Sequence, residues 1–190
     1  VTPALTGANV IGMAGATGAH MHICHLNSTS LQDIERAAQL ISRAQRAGLK
    51  VTTEAYPYGT GSTFLGATFF ADPKFPERTG STYSDIELVS SQHRFSGQDE
   101  YAATRDSQPG SLVLWHYLDI GHNQRHRDML DASVLFPGSA IASDAMPWSN
   151  ADGSLYHGSE WPLAADKTSH PRSSGTFTRF LRQWCLDRQA

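Results

Sequence analysis

Hydrophobic residues recur at two different spacings along this chain, and together these spacings predict alternating strands and helices. Residues 18–27 alternate small or apolar residues with histidines, which predicts a β-strand. Residues 31–44 carry an apolar stripe at helical spacing, and Gly48 follows as a helix stop. Residues 49–54 are rich in β-branched residues and predict a second strand. Strand, helix and strand in this order form a βαβ unit, which implies parallel pairing.

The predicted helix ends are marked by residues that suit them. Ser30 is a good N-cap for the helix over residues 31–44, and with Asp33 it forms an acidic variant of the capping box. Residues 1–17, rich in Ala and Gly, predict a helix that packs on the first strand, although its glycines weaken it. Asn123 is the expected cap of a later helix that ends near Ser133.

The periodic pattern is lost over residues 64–110 and then returns. Phenylalanines there follow no period, and prolines and glycines interrupt them, so we predict a long excursion with short helices near 84–91 and 98–104. An excursion of this length is usually a lid or a substrate loop. Residues 111–117 then predict an apolar strand, and residues 139–144 predict a short strand.

The order of elements predicts an α/β protein. A last helix is expected from Thr176, with Phe177, Phe180, Leu181 and Trp184 on one face. Four strands that alternate with helices amount to half of an eight-stranded barrel. The predicted fold is therefore a partial (β/α)8 TIM barrel over residues 1–190, interrupted by the excursion at about 64–110.

Composition limits the classes of function. The chain has 190 residues, 39% of them hydrophobic, which suits one globular domain. Its net charge of −3 with scattered basic residues argues against nucleic acid as a partner, and it has no apolar window that would span a membrane. Cys24 and Cys185 are interpreted as buried thiols in a reducing cytoplasm. The first residue is not Met, so we expect a piece of a longer protein.

Two residues at strand ends are the main candidates for chemistry. His20 and His22 share one face of the first strand, while His25 faces the other way and lies nearest the carboxyl end, where ligands bind in (β/α) folds. His25 is therefore favoured over His20 and His22, with an ordinary strand histidine as the alternative. Asp144 ends a predicted buried strand, where a carboxylate is costly unless it is paired, hydrogen-bonded or bound to a metal.

Four phrases together resemble a known family. They are His22-Ile-Cys-His-Leu-Asn-Ser-Thr-Ser30, Glu54-Ala-Tyr-Pro-Tyr-Gly-Thr-Gly-Ser-Thr63, Ala142-Ser-Asp144 and His170-Pro-Arg-Ser-Ser-Gly-Thr-Phe177. In this order they resemble the C-terminal half of the D-aminoacylase (N-acyl-D-amino-acid deacylase) branch of the amidohydrolase superfamily. The resemblance extends over nearly the whole chain.

The resemblance implies a metal-dependent hydrolase of C–N bonds other than peptide bonds, with this chain as approximately strands 5 to 8 of its barrel. It implies one or two divalent ions, usually zinc, and a small-molecule N-acyl amino acid as substrate. By motif, His25 is the fifth-strand metal ligand. Asp144 is the eighth-strand ligand, and it also carries the proton from the attacking water to the leaving amine.

The sequence departs from the family pattern at two positions. Tyr56 stands where the sixth-strand histidine ligand is expected, and a phenol is a poor zinc ligand at neutral pH. Glu54 and His116 are the alternative ligands, although His116, with apolar neighbours, is more typical of a core residue. Asn27 replaces a lysine common in relatives, so its contact with substrate is an open question.

Substrate binding is predicted for Arg172, Tyr56 and Ser62. The Arg172 guanidinium suits a substrate carboxylate, but the alternative is that the His170-Pro-Arg172 segment positions the last helix. A role in turn formation explains the presence of Ser62 as well as substrate binding does.

Two other classes of function stay open. One class is a dihydroorotase-like or hydantoinase-like cyclic amidase, and the other is a non-catalytic remnant or interaction piece.

Half a barrel would hold an incomplete site. The first four strands and their ligands are not recognisable in the sequence. We therefore expect a fragment, inactive alone, whose partner is the missing N-terminal half of the barrel.

Overall fold

A computed structural model describes residues 3–188, in which helices and short strands alternate. The helices are α1 (Pro3–Thr17), α2 (Leu26–Ser30), α3 (Ile34–Arg46), α4 (Phe75–Thr79), α5 (Gln98–Ser107), α6 (Gln124–Val134) and α7 (Arg172–Phe180). The strands are β1 (Met21–Ile23), β2 (Val51–Ala55), β3 (Gly61–Phe64), β4 (Ile86–Leu88), β5 (Leu112–Trp115) and β6 (Ala140–Ile141). Two 3-10 turns, Leu31–Asp33 and Tyr83–Asp85, and a π-helical segment, Leu181–Leu186, complete the described elements.

The chain divides into two compact units. Among the described residues, the first unit comprises residues 3–59, 118–144 and 175–188, and the second comprises residues 60–117 and 145–174. The predicted excursion at 64–110 falls within the second unit.

The first unit contains a parallel sheet in the order β1-β2-β6. Met21 lies opposite Val51 in the register of β1 and β2, and Glu54 lies opposite Ala140 in that of β2 and β6. The predicted βαβ unit and its parallel pairing are therefore confirmed. The two strands that flank β2 carry, just beyond their carboxyl ends, the two residues favoured for chemistry.

One face of this sheet is covered by helices. The buried cluster consists of small and branched apolar residues with one aromatic residue: Ala14, Ile23, Leu26, Ala37, Ile41, Ala44, Val51 and Phe136. Helix α3 contributes the predicted stripe, because Ile34, Ala37, Ile41 and Ala44 are its buried positions. Gly48, with φ of 84°, adopts the left-handed conformation expected just after a helix end.

The start of this helical region differs from the prediction. Ser30 ends α2, and a 3-10 turn separates it from α3, so Ser30 is not the N-cap of one long helix. Its side chain makes no capping hydrogen bond, and the predicted capping box with Asp33 is wrong. The chain turns here because Leu31 takes a positive φ of 51° and buries its side chain.

The second unit contains an antiparallel sheet, which corrects the expectation of four parallel strands. Strand β5, predicted to continue the parallel series, lies between β3 and β4 and is antiparallel to both. The pattern of a single apolar strand does not specify the direction of its partners. Strand β3 includes Ser62, for which turn formation was an expected alternative.

The excursion folds around aromatic side chains. Rings of Phe70, Phe75 and Trp115 lie 5.3–5.6 Å apart, and Tyr83 and Tyr101 lie 5.1 Å apart. Such a core needs no regular spacing, because each ring comes from a different short element. The predicted helix near 98–104 is confirmed as α5, but that at 84–91 is wrong, since a 3-10 turn and β4 occupy it.

Two further expectations concern cysteines and membranes. Cys24 and Cys185 are free, as predicted, but Cys24 is exposed and Cys185 is half-buried, so both were wrongly assigned to the core. Cys24 follows β1 on the face opposite the buried Ile23, which explains its exposure. Across residues 3–188, every helix is too short or too polar to traverse a lipid bilayer.

Candidate metal centre

His25 lies at the carboxyl end of β1, where the chain changes direction into α2. Its backbone is left-handed, with φ of 34°, which is unusual for a residue other than glycine. The Nδ1 atom of its ring is 2.9 Å from both the Ser28 and the Thr29 hydroxyl oxygens. These contacts fix the ring and leave Nε2 as the nitrogen that can bind a metal. The alternation predicts His25 on the strand face opposite His20 and His22. His25 instead lies beyond the end of the strand.

Asp144 lies three residues beyond β6 and has the same unusual backbone. Its φ is 48°, and its side chain is half-buried. The two-residue strand β6 is itself only partly buried, so the expectation of a carboxylate on a buried strand is wrong. The physical reason is that β6 pairs with β2 alone and lies at the border of the described sheet.

The sheet order brings these two residues to one edge. Strands β1 and β6 both run parallel to β2, so His25 and Asp144 follow carboxyl ends on the same side of the sheet. Within residues 3–188, four non-glycine residues have a positive φ: His25, Leu31, Gln92 and Asp144. Two of the four are the predicted ligands, and backbone strain of this kind concentrates at functional sites.

The contacts of Asn27 explain why asparagine, rather than the lysine common in relatives, suits this position. It is fully buried, and its Nδ2 donates to the Tyr56 carbonyl at 3.0 Å and to the Tyr58 carbonyl at 3.1 Å. These bonds tie the start of α2 to the segment after β2. Asn27 therefore has a structural role within the first unit. Tyr56 is also fully buried, with its ring centroid 6.3 Å from that of His25.

Arg172 and Ser62, both predicted to bind substrate, belong to the second unit. The Ser62 hydroxyl donates to the Val113 carbonyl at 2.8 Å, across the β3–β5 pair. Arg172 is only 2% exposed, and an Nη atom lies 3.4 Å from the Ser62 carbonyl oxygen. The Arg172 backbone N–H donates to His170 Nδ1 at 2.8 Å, at the start of α7. Arg172 therefore contacts β3 within the second unit. Its substrate role, and the alternative that the His170-Pro-Arg172 segment positions the last helix, both stay predictions.

His116, an alternative ligand in the sequence, has protein partners in the second unit. Its Nε2 is 3.1 Å from Glu87 Oε2, and its Nδ1 is 3.2 Å from the Thr60 hydroxyl. Burial lowers the pKa of His116, nearby Arg94 lowers it further, and Glu87 opposes the shift. Both ring nitrogens thus have roles in local structure, as the core interpretation suggested.

This lowered pKa gives a prediction for stability. Below about pH 6.5, the ordinary pKa of histidine, the unfolded chain takes up a proton that folded His116 binds only at lower pH. Stability should therefore fall as the pH decreases through this window. Replacing His116 with Gln should reduce the loss between about pH 7.5 and about pH 5.5, measured by urea denaturation. The exposed His157, replaced in the same way, is the matched control. Equal pH dependence in the His116 variant and the unmodified chain would contradict the assignment.

A second group of ligand-type side chains lies on β1 and β2. One ligand atom from each of His22, Cys24 and Glu54 lies within 4.8 Å of the others. The sequence favours His25 over His22 as a ligand and predicts a buried Cys24, so of these three residues only Glu54 is carried forward as an alternative ligand. A signal was nevertheless present, because His22 and Cys24 are two residues apart and therefore share a strand face.

The donor atoms near the strand ends suit zinc. His25 offers an imidazole nitrogen and Asp144 a carboxylate oxygen, both common zinc ligands. Zinc usually takes four ligands, so these two residues would form part of a coordination shell. The residues therefore fit the predicted ion as a partial site.

Comparison with known proteins identifies the fold. Scans against protein-family models and curated proteins gave no match. Three solved structures, however, each cover 95–96% of this chain, with TM-scores of 0.57–0.60 and identities of 16–20%. One of the three is described as defining a novel subset of amidohydrolases. The chain therefore has a mixed α/β fold found within amidohydrolases.

The particular matches are an N-acyl-D-glutamate deacylase and two D-aminoacylase structures. One is N-acyl-D-glutamate deacylase from Bordetella bronchiseptica, complexed with zinc and a phosphonate inhibitor that mimics the tetrahedral intermediate, at 20% identity. The other two are D-aminoacylase structures, at 16% and 18% identity, and one concerns a binuclear metal centre. The chain spans only 34–35% of the length of these proteins.

Proposed function

We propose that this chain is the C-terminal part of the catalytic barrel of a metal-dependent amide hydrolase that deacylates N-acyl-D-amino acids. The bond that such an enzyme cleaves is a C–N bond other than a peptide bond. The observation that carries the proposal is the placement of His25 and Asp144, with strained backbones, beyond parallel strands on both sides of β2. The fold similarity to deacylases of this kind supports it independently.

A polar sheet face also supports the barrel. Parallel sheets are normally covered on both faces. Here Ile23 and Val51 are buried on the helix side, while His22 and Cys24 are exposed on the other. In a complete barrel this second face would line the interior, where the remaining strands would cover it. The missing N-terminal half is therefore the proposed partner of this chain.

His25 and Asp144 are the residues proposed to hold zinc, one or two ions being consistent with the related structures. Zinc, when bound, lowers the pKa of a coordinated water and polarises the substrate carbonyl. Ser28 and Thr29 fix the imidazole of His25 and so orient its other nitrogen. The Asp144 carboxylate is the group proposed to accept a proton from water and to return it to the leaving amine.

The substrate is proposed to be a small N-acyl amino acid. Arg172 is the proposed partner of its carboxylate, and Tyr56 and Ser62 are the other proposed substrate-binding residues. Each of these three assignments rests on the sequence motifs. The contacts described above give only the position of each residue within its own unit.

The test is hydrolysis by the chain joined to, or expressed with, the N-terminal barrel strands. We expect zinc-dependent release of D-glutamate or D-methionine from the N-acetyl derivatives, with the L-enantiomers as controls. Chelation should abolish the reaction, and added zinc should restore it. Turnover of dihydroorotate or hydantoin in place of the acyl amino acids would favour a cyclic amidase. No turnover of either class by the folded, zinc-loaded assembly would contradict an enzymatic role.

A further inference from the structure

The exposed group on β1 and β2 has the geometry of a metal site. His22 and Cys24 are two residues apart along an extended chain, so their side chains point to the same face. Continuing the register from Ile23 and Thr53 places Cys24 opposite Glu54 on the neighbouring strand. One ligand atom from each of the three side chains therefore falls within 4.8 Å of the others. Parallel pairing of residues 21–23 with residues 51–53 holds the two backbones that carry this group side by side.

A neighbouring hydroxyl orients the imidazole of this group. His22 Nδ1 is 2.8 Å from the Thr52 hydroxyl, while its Nε2 is 3.4 Å from Glu54 Oε2. A histidine that ligates a metal usually engages a polar group through its other ring nitrogen, which fixes the ring. Thr52 has this role here.

The chemistry of the donors selects the cation. Imidazole nitrogen, thiolate sulfur and carboxylate oxygen together suit zinc and cobalt(II), whereas calcium and magnesium prefer oxygen alone. A simple ion pair would account for the proximity of His22 and Glu54. Such exposed pairs, however, contribute little to folding stability and do not require a nearby thiol. Cys24 is the group that distinguishes a metal site from an ion pair.

We propose that His22, Cys24 and Glu54 bind one divalent cation of the zinc class, with a further coordination position open to water. This site is separate from the proposed catalytic residues. His25 lies beyond Cys24 in a left-handed conformation, and its Nδ1 contacts Ser28 and Thr29. The inference does not depend on deacylase activity, because the ligands belong to the described first unit alone.

The test is cobalt(II) titration of the reduced, metal-free 190-residue chain followed by absorption spectroscopy. We expect a thiolate-to-cobalt charge-transfer band that zinc displaces. Cys24→Ser should abolish the band, whereas Cys185→Ser, which removes the other free thiol, should preserve it. His22→Gln and Glu54→Gln should each weaken binding at least about tenfold, and Thr52→Val by about 10–100-fold.

Further variants separate this site from the proposed catalytic centre. His25→Asn and Asp144→Asn should retain the cobalt–thiolate band with an unchanged dissociation constant. Circular dichroism of each metal-free variant verifies that it is folded, and Cys24 is exposed, so its replacement by Ser should not disturb the core. The proposal is overturned if the folded chain gives no band, if Cys24→Ser keeps it, or if Cys185→Ser removes it.

Discussion

Replacing Asp144 with Asn is expected to lower kcat for N-acyl-D-amino acid hydrolysis by about 10³-fold in the complete barrel. The amide has nearly the shape of the carboxylate, but it cannot accept the proton of the attacking water. Asn also tolerates the left-handed backbone at this position, where φ is 48°. The loss should therefore report the missing proton acceptor rather than a refolded loop.

The measurement is steady-state kinetics with the zinc content determined on the same samples. Asp128, an exposed residue of α6, provides a matched Asp→Asn control that should keep the original kcat. Reduced zinc content in the Asp144 variant would indicate that the carboxylate also helps to hold the ion. A zinc-loaded Asp144 variant with unchanged kcat would exclude Asp144 as the proton carrier.

Replacing Asn27 with Asp is expected to destabilise the first unit by about 2–4 kcal/mol. The change is nearly isosteric, but it replaces an amide donor with a carboxylate that faces two backbone carbonyls. The Tyr56 and Tyr58 carbonyls would lose their bonds at 3.0 and 3.1 Å inside a fully buried position. The thermal midpoint should fall on the order of 10 °C.

The matched control is the same substitution at Asn9, an exposed residue of α1. Its change to Asp should shift the thermal midpoint little. Calorimetry or circular dichroism of both variants makes the comparison. Equal midpoints for the two variants would show that the Asn27 bonds contribute nothing to stability.

Local patterns predicted much of the first unit. The stripe of α3, the helix stop at Gly48 and the parallel pairing of β1 with β2 each depend on residues close in sequence. The cap of α6 was predicted for the same reason, since the Asn123 side chain accepts the His126 N–H within one helical turn.

The second unit could not be predicted in this way. Its core is an aromatic cluster around Trp115, assembled from short elements with no common spacing. The partners of β5 were wrongly assigned because the direction of strand pairing depends on distant segments. The three-residue site on β1 and β2 escaped notice for a related reason. The spacing of His22 and Cys24 is visible in the sequence, but the approach of Glu54 to them becomes visible only when the strand register is known.

The three-stranded parallel sheet has a consequence for handling the protein. Strands β1 and β6 form its two outer borders, with β2 between them. Backbone amides and carbonyls along such borders can accept an added strand from another molecule. We therefore expect self-association through these borders at high concentration, and we expect co-production with complementary strands to reduce it.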